Sequence, residues 1–122
     1  MKFNKLVPNI FYADIKTGLK LFVDCLGFKI TYDDLESIEQ PFCVVEKDTL
    51  KVHLVQSKEF AEKDRPEIRL ETDQIEEVYH QIKQTHPDLI HPNSNGVTLQ
   101  PWKVKEFALR DASHVCIVIQ QW

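Results

Sequence analysis

The sequence predicts an α+β protein in which a strand, a helix and then three strands occur twice in the same order. Apolar residues switch between alternating and helical spacing in this order in both halves of the chain. The length of 122 residues, 43% of them hydrophobic, suffices for one core and is short for two ordinary domains. We therefore predict a single domain, residues 1–122, made of two βαβββ modules. Module 1 covers about residues 1–57, a linker covers 58–65, and module 2 covers about 66–122.

In module 1, the first strand is predicted at residues 6–12, with Pro8 near its start. Asp14 is a candidate N-cap of the following helix, and Gly27 is a candidate C-cap glycine. Five apolar residues at helical spacing predict that helix: Ile15, Leu19, Phe22, Val23 and Leu26. The other strands of this module are predicted at residues 28–32, 42–46 and 50–56.

In module 2, polar and apolar residues alternate over residues 67–72, as in a half-buried strand. Asp73 precedes a helix that His86 and Pro87 end. The apolar face of this helix consists of Ile75, Val78, Tyr79 and Ile82. The remaining strands are predicted at residues 89–91, 106–110 and 114–120, with turns at 93–96 and 111–113.

The two modules also align with each other. Residues 42–46 match residues 107–111 at an offset of 65, and the same offset places His53 on Val118. Upstream, Asp14 matches Asp73. An internal repeat of this length indicates duplicated modules.

Composition excludes several classes of function. The formal charge is −4, and Lys and Arg form no cluster, so we expect no nucleic-acid partner. The longest apolar stretches fall far short of the ~18 residues of a membrane span, and we expect neither a membrane partner nor a signal peptide. The three cysteines are odd in number and widely spaced, which is typical of reduced thiols in a cytoplasmic protein.

Two stretches of the chain carry a family resemblance. The first comprises residues 7–14, Leu19, Phe22 and residues 26–28, and the second comprises Pro101, Trp102 and residues 106–111. They resemble the opening module and the closing hairpin of the glyoxalase/bleomycin resistance protein/dioxygenase superfamily, also called vicinal oxygen chelate proteins. The bleomycin-resistance-like branch is the most similar.

The chain departs from the family pattern at two turns. Ala112, Ser113 and His114 stand where the family usually has Pro-Asp-Gly. Lys103 stands where a glycine often follows the tryptophan. These departures leave the geometry of both turns open.

The resemblance implies a U-shaped mixed sheet whose trough holds the ligand, with helices outside and a homodimer as the assembly. In metal-dependent members of the family, each module supplies one metal ligand from its first strand and one from its last. Carried over onto this sequence, these positions are Val7, His53, Glu67 and Val118.

These four residues argue against a metal centre. Val7 and Val118 have no donor atom, and the remaining pair is too small for a catalytic site, which usually has three protein ligands. We therefore expect no cofactor, with His53 and Glu67 as candidate ligands in the alternative in which a divalent metal ion binds. Otherwise His53 is a hydrogen-bonded residue of the trough wall, and Glu67 pairs with Arg69 or a nearby lysine.

Period-2 alternation selects the residues that face the proposed ligand. They are Asn9, Phe11, His53, Val55, Glu67, Arg69 and Val118. Trp102 lies in a polar loop and is a candidate lid over a planar ligand, with a loop anchor or a dimer contact as alternatives. We identify no catalytic residue, because nothing near Cys43 or Cys116 clearly lowers a thiol pKa.

Three functions follow, and whether the chain is an enzyme stays open. The preferred one is a metal-independent protein that binds or sequesters a small antibiotic-like, aromatic or cationic compound. The first alternative is a metal-dependent lyase or dioxygenase of the glyoxalase type. The second is an interaction domain with no small-molecule ligand.

Overall fold

The computed structural model describes all residues, Met1–Trp122, and the chain divides into two compact units, Met1–Asp64 and Arg65–Trp122. Each unit contains a four-stranded mixed sheet and follows the order strand, helix, three strands. The α+β class and the duplicated βαβββ order are therefore confirmed. No helix is both long enough and apolar enough to cross a bilayer.

The sheet of the first unit has the strand order β1-β4-β3-β2. Its strands are β1 (Asn9–Tyr12), β2 (Lys29–Asp34), β3 (Phe42–Lys47) and β4 (Leu50–Gln56). β1 runs parallel to β4, and the other pairs are antiparallel. The predicted first strand was too long, because only four of its residues form the strand. A short helix, α2 (Lys58–Lys63), follows β4.

The first helix, α1 (Ile15–Leu19), begins at Asp14, whose carboxylate accepts a hydrogen bond from the Lys16 backbone N–H. It continues as a π-helix over Lys20–Cys25, and Gly27 follows its end at a φ of +77°. The wider π turn shifts the buried face. Leu21, which the helical spacing did not select, is completely buried, whereas Leu19, Val23 and Leu26 are half-buried.

The sheet of the second unit has the order β5-β8-β7-β6. Its strands are β5 (Glu67–Glu71), β6 (Thr98–Leu99), β7 (Lys105–Arg110) and β8 (Cys116–Gln121). The main helix is α3 (Ile75–Thr85), which buries Ile75 and Ile82. Its N-cap is Gln74 rather than Asp73, so the alignment of Asp14 with Asp73 was off by one residue.

Two further sequence predictions were wrong. Residues 89–91 do not form a strand, because Pro87–Leu89 is a 3₁₀ helix and only Ile90 makes a single bridge, to Leu109. The partner of β7 is instead β6.

The strand register also corrects the offset of the internal repeat. His53 pairs with Val44, and Val118 pairs with Ala108, so β3 and β7 are offset by 64 residues although His53 and Val118 are offset by 65.

Candidate functional site

The face of the first sheet that points away from its buried core carries four of the predicted ligand contacts. Along β1, Ile10 and Tyr12 are buried, whereas Asn9 and Phe11 between them are more exposed. In the register with β4, Asn9 lies beside His53 and Phe11 lies beside Val55. Alternation therefore predicted the facing of these residues correctly.

His53 combines partial exposure with the absence of any side-chain partner. Its backbone N–H donates to the Pro8 carbonyl at 2.9 Å, which holds the strand in place. Its imidazole forms no hydrogen bond or ion pair within the chain. The expected hydrogen-bonded trough-wall histidine is thus not what the structure contains. Both ring nitrogens are available to a ligand.

Four aromatic rings on this side of the sheet form two contacting pairs, and we call them the aromatic cluster: Phe11, Tyr32, Phe42 and Phe60. Phe11 and Phe42 flank Val55 on its two neighbouring strands. Phe11 contacts Phe60 of α2 with ring centroids 5.0 Å apart, and Tyr32 stacks on Phe42 at 5.4 Å. Val55 itself is only 8% exposed, whereas Tyr32 is 55% exposed and Phe60 47% exposed.

Three members of the aromatic cluster were not predicted as ligand contacts: Tyr32, Phe42 and Phe60. Phe42 shares its face with Val44 and alternates with buried Cys43 and Val45, so sorting β3 by period 2 would have found it. Phe60 is on a helix that the linker sequence did not clearly predict.

The second sheet places Arg69 in a polar network on the face away from α3. One Arg69 guanidinium nitrogen, Nη1, donates to Glu106 Oε2 at 3.1 Å and to Gln120 Oε1 at 3.2 Å. The other, Nη2, lies 3.6 Å from Glu67 Oε2. The ion pair of Glu67 with Arg69 was therefore correctly expected. Arg69 therefore already has two carboxylate partners, with which a ligand would have to compete.

Trp102 lies in a tight turn between β6 and β7 and is 57% exposed. The turn is closed by two backbone hydrogen bonds of 2.9 Å, from the Gln100 N–H to the Val104 carbonyl and from the Lys103 N–H to the Gln100 carbonyl. Lys103 has a φ of +71°, so its backbone takes the left-handed conformation that a glycine favours.

Neither Cys43 nor Cys116 is an activated nucleophile. Burial raises the pKa of the Cys43 thiol from 9.0 to about 11, and the charge of Asp33 adds to the effect. Burial also raises the pKa of Cys116, helped by Glu67 and opposed by Arg69 and Arg110. Both thiols therefore stay protonated near neutral pH.

The residues at the four positions implied by the resemblance do not fit a metal ion. Val7 and Val118 offer no donor, and Glu67 is paired with Arg69. The neighbour of His53 on the parallel strand is Asn9, an amide. No three His, Cys, Asp or Glu side chains gather in an arrangement that could hold a metal. We therefore derive no metal-dependent step from this structure.

The duplicated strand-helix-strand-strand-strand units give the chain the glyoxalase/bleomycin-resistance fold, in agreement with the sequence resemblance. No protein-family model and no curated protein matches the sequence. Several solved structures do match over nearly the whole chain, and their TM-scores show the shared fold although their sequence identities are low.

Bleomycin-binding and bleomycin-resistance proteins are among these structures. The bleomycin-binding protein of Streptomyces verticillus, solved with copper(II)-bleomycin, is 21% identical over 98% of this chain and 96% of its own, with a TM-score of 0.74. The bleomycin resistance determinant of transposon Tn5 is 21% identical over 98% of both chains, with a TM-score of 0.73. A superfamily member from Sphaerobacter thermophilus is 17% identical over 98% of both chains, with a TM-score of 0.75.

Proposed function

We propose that this protein binds a small aromatic or cationic antibiotic-like compound without a metal ion and without chemical conversion of the compound. The observation that carries the proposal is the unpaired His53 imidazole on a sheet face that also presents the aromatic cluster. The binding centre that we propose is this face of β1, β4 and β3.

The chemistry of this face suits such a ligand. The exposed Tyr32 ring offers stacking surface to a planar group, and its π face attracts a cation. Phe60 adds apolar surface, and a cation of the chain, Lys63 Nζ, already lies 5.9 Å from the centroid of its ring. His53 and Asn9 add hydrogen-bonding groups that fix orientation. A few polar groups beside apolar side chains are typical of small-molecule sites.

Metal independence is supported by the donor set. Two of the four positions are valines, Glu67 is engaged by Arg69, and His53 alone is too little for a stable site. The glyoxalase-type metalloenzyme would require donors that this chain does not bring together.

Two of the structural neighbours indicate which probe to use first. A bleomycin-binding protein complexed with bleomycin covers 98% of this chain at 20% identity, and the Streptomyces verticillus protein was solved with copper(II)-bleomycin. Metal-free bleomycin is therefore the first compound to test, followed by a library of planar aromatic cations.

The test is a calorimetric titration of metal-free bleomycin into the protein in EDTA. We expect binding to persist in EDTA, and the His53→Ala variant to bind about tenfold more weakly, which corresponds to ~1.4 kcal/mol. His80→Ala is the matched control, because His80 is exposed on α3.

Two results would redirect the proposal. Stoichiometric Zn, Ni, Fe or Mn in the purified protein, with binding lost in EDTA, would favour the metalloenzyme. A ligand at 100-fold its Kd adds ~2.7 kcal/mol of stability. If neither bleomycin nor any library compound raises the melting temperature, the hypothesis of an interaction domain becomes the better supported one.

The remaining expectations belong to the same proposal. Glu67, Arg69, Val118 and Trp102 stay predicted ligand contacts, and the protein is expected to be a cytoplasmic homodimer that binds neither nucleic acid nor membranes.

A further inference from the structure

The turn that carries Trp102 has a side-chain tie to the polar network. Gln100 begins this turn, and its side-chain Nε2 donates to Glu106 Oε1 at 3.0 Å. The other oxygen of the same carboxylate, Oε2, accepts from Arg69 Nη1 at 3.1 Å. Glu106 thus joins the turn to Arg69, with a different oxygen for each partner.

Glu106 is placed to act as a fixed anchor. Its side chain is only 17% exposed, and it lies on β7 between Thr98 of β6 and Gln120 of β8. In the Trp102 turn, in contrast, Trp102 is 57% exposed. The two backbone bonds inside the turn fix its shape, whereas the Gln100–Glu106 bond ties it to the sheet.

We propose that Gln100 and Glu106 are positioning residues that hold the Trp102 turn, and that Arg69 sets the strength of this hold by orienting the Glu106 carboxylate. The hold on the turn does not depend on the proposed function. Its effect on ligand affinity does, because that effect requires the predicted contact of Trp102 with the ligand. A ligand group that draws Arg69 away from Glu106 would loosen the turn.

The test uses the fluorescence of Trp102 in a Trp122→Phe background, where Trp102 is the sole tryptophan. In Gln100→Glu, two carboxylates face each other where the hydrogen bond was. Because Trp102 is already 57% exposed, we expect its acrylamide quenching constant to rise measurably but less than about twofold once the turn loses this bond. Adding Glu106→Gln restores a donor and an acceptor in reversed order, so the quenching constant should return close to its starting value.

Three further variants complete this test. Gln84→Glu makes the same chemical change at an exposed site on α3 and should leave the quenching constant unchanged. Gln100→Leu removes the donor without adding charge and replaces Gln100→Glu if that variant does not fold. Arg69→Met should also raise quenching, although Arg69 does not contact the turn directly.

Rescue by the reversed pair is the result that a merely destabilised fold would not produce. Unchanged quenching in folded Gln100→Glu or Gln100→Leu would overturn the positioning role, and unchanged quenching in Arg69→Met would overturn the part assigned to Arg69.

In a second arm, the Kd for metal-free bleomycin should rise with the quenching constant. If it stays constant in variants whose quenching rises, the link to affinity is wrong. If the parent protein does not bind bleomycin, the proposed function fails for this ligand, and the quenching arm still decides the positioning role.

Discussion

Three non-glycine residues have a positive φ: Asp48 at 54°, Lys103 at 71° and His114 at 64°. Two of them, Lys103 and His114, stand where the family resemblance leads us to expect glycine. At both positions the backbone takes the left-handed conformation that glycine favours, although the residue present carries a Cβ. This conformation costs a residue with a Cβ roughly 1 kcal/mol or more, since the side chain crowds the neighbouring carbonyl.

We expect His114→Gly to raise the free energy of unfolding by up to about 1 kcal/mol, because the relief of this crowding exceeds the entropy that glycine gains in the unfolded chain. The measurement is chemical denaturation at pH 7. Ala112→Gly is the control in the same turn. Its φ is not positive, so glycine there should lower stability. A loss of stability in both variants would refute the prediction.

The buried thiol of Cys43 makes stability depend on pH in the alkaline range. Its pKa is about 11 in the folded protein against 9.0 ordinarily, mainly because of burial. The folded state therefore retains the proton more tightly than the unfolded chain. The resulting stabilisation is complete below pH 9 and is lost as the pH rises toward 11.

We expect the unfolding free energy of the parent to fall more steeply than that of Cys43→Ala between pH 9 and pH 11, by on the order of 2 kcal/mol. Every other ionisable group is common to both proteins, so the difference isolates Cys43. Denaturation curves at half-unit pH steps measure it. Parallel curves for the two proteins would show that the thiol is not responsible.

The two main helices are capped in the same way by the last strand of their own unit. The Ile15 backbone N–H donates to Gln56 Oε1 at 3.0 Å, and the Ile75 backbone N–H donates to Gln121 Oε1 at 2.9 Å. Gln56 and Gln121 are 65 residues apart, the same offset as His53 and Val118. The duplication thus includes a tertiary helix cap as well as the order of the elements.

We expect Gln121→Ala to destabilise the protein by about 1 kcal/mol, because the first N–H of α3 loses its acceptor in a partly buried place. Gln56→Ala should cost a similar amount at α1. Gln84→Ala, on the exposed side of α3, should change stability by less than about 0.5 kcal/mol. Thermal and urea unfolding would measure all three, and an effect of Gln84→Ala as large as that of Gln121→Ala would contradict the capping role.

Local sequence patterns predicted these helices, but they could not predict contacts between residues that are far apart in the chain. Asp14 was found as a cap because its partner is two residues away, whereas Gln121 caps a residue 46 positions upstream. Leu21 was missed because a π turn breaks the helical period. β6 was missed because it has only two residues, which show no periodicity.

The same distinction between local and tertiary structure applies to the candidate site. Alternation within one strand placed Asn9, Phe11 and His53 correctly, because side-chain direction is a local property. The contacts of Glu106 with Arg69 and Gln100 depend on which strands are neighbours and in which register, so they follow only from the structure.

At the scale of the whole molecule, the sequence resemblance predicts a homodimer. The edges of the sheets limit which surfaces this homodimer can use. β2 is an edge strand with five of its six residues exposed, among them Ile30 and Tyr32. It also carries charges at Lys29 and Asp33, and its pairing with β3 shifts register between Ile30 and Tyr32. Charges and irregular pairing disfavour the addition of another strand. A homodimer should therefore form through a surface other than this edge.

We expect sedimentation equilibrium to give about twice the chain mass of 14.3 kDa at micromolar protein concentration, where homodimers of stable interface persist. An added charge on β2, in Ile30→Lys, opposes strand addition at this edge and should leave that mass unchanged, because we expect the dimer to form through another surface. Conversion of Ile30→Lys to a monomer would show that the dimer pairs through β2. If the parent sediments as a single chain at every concentration, the dimer prediction is wrong. The binding face around His53 would then have to bind its ligand with residues of one chain alone.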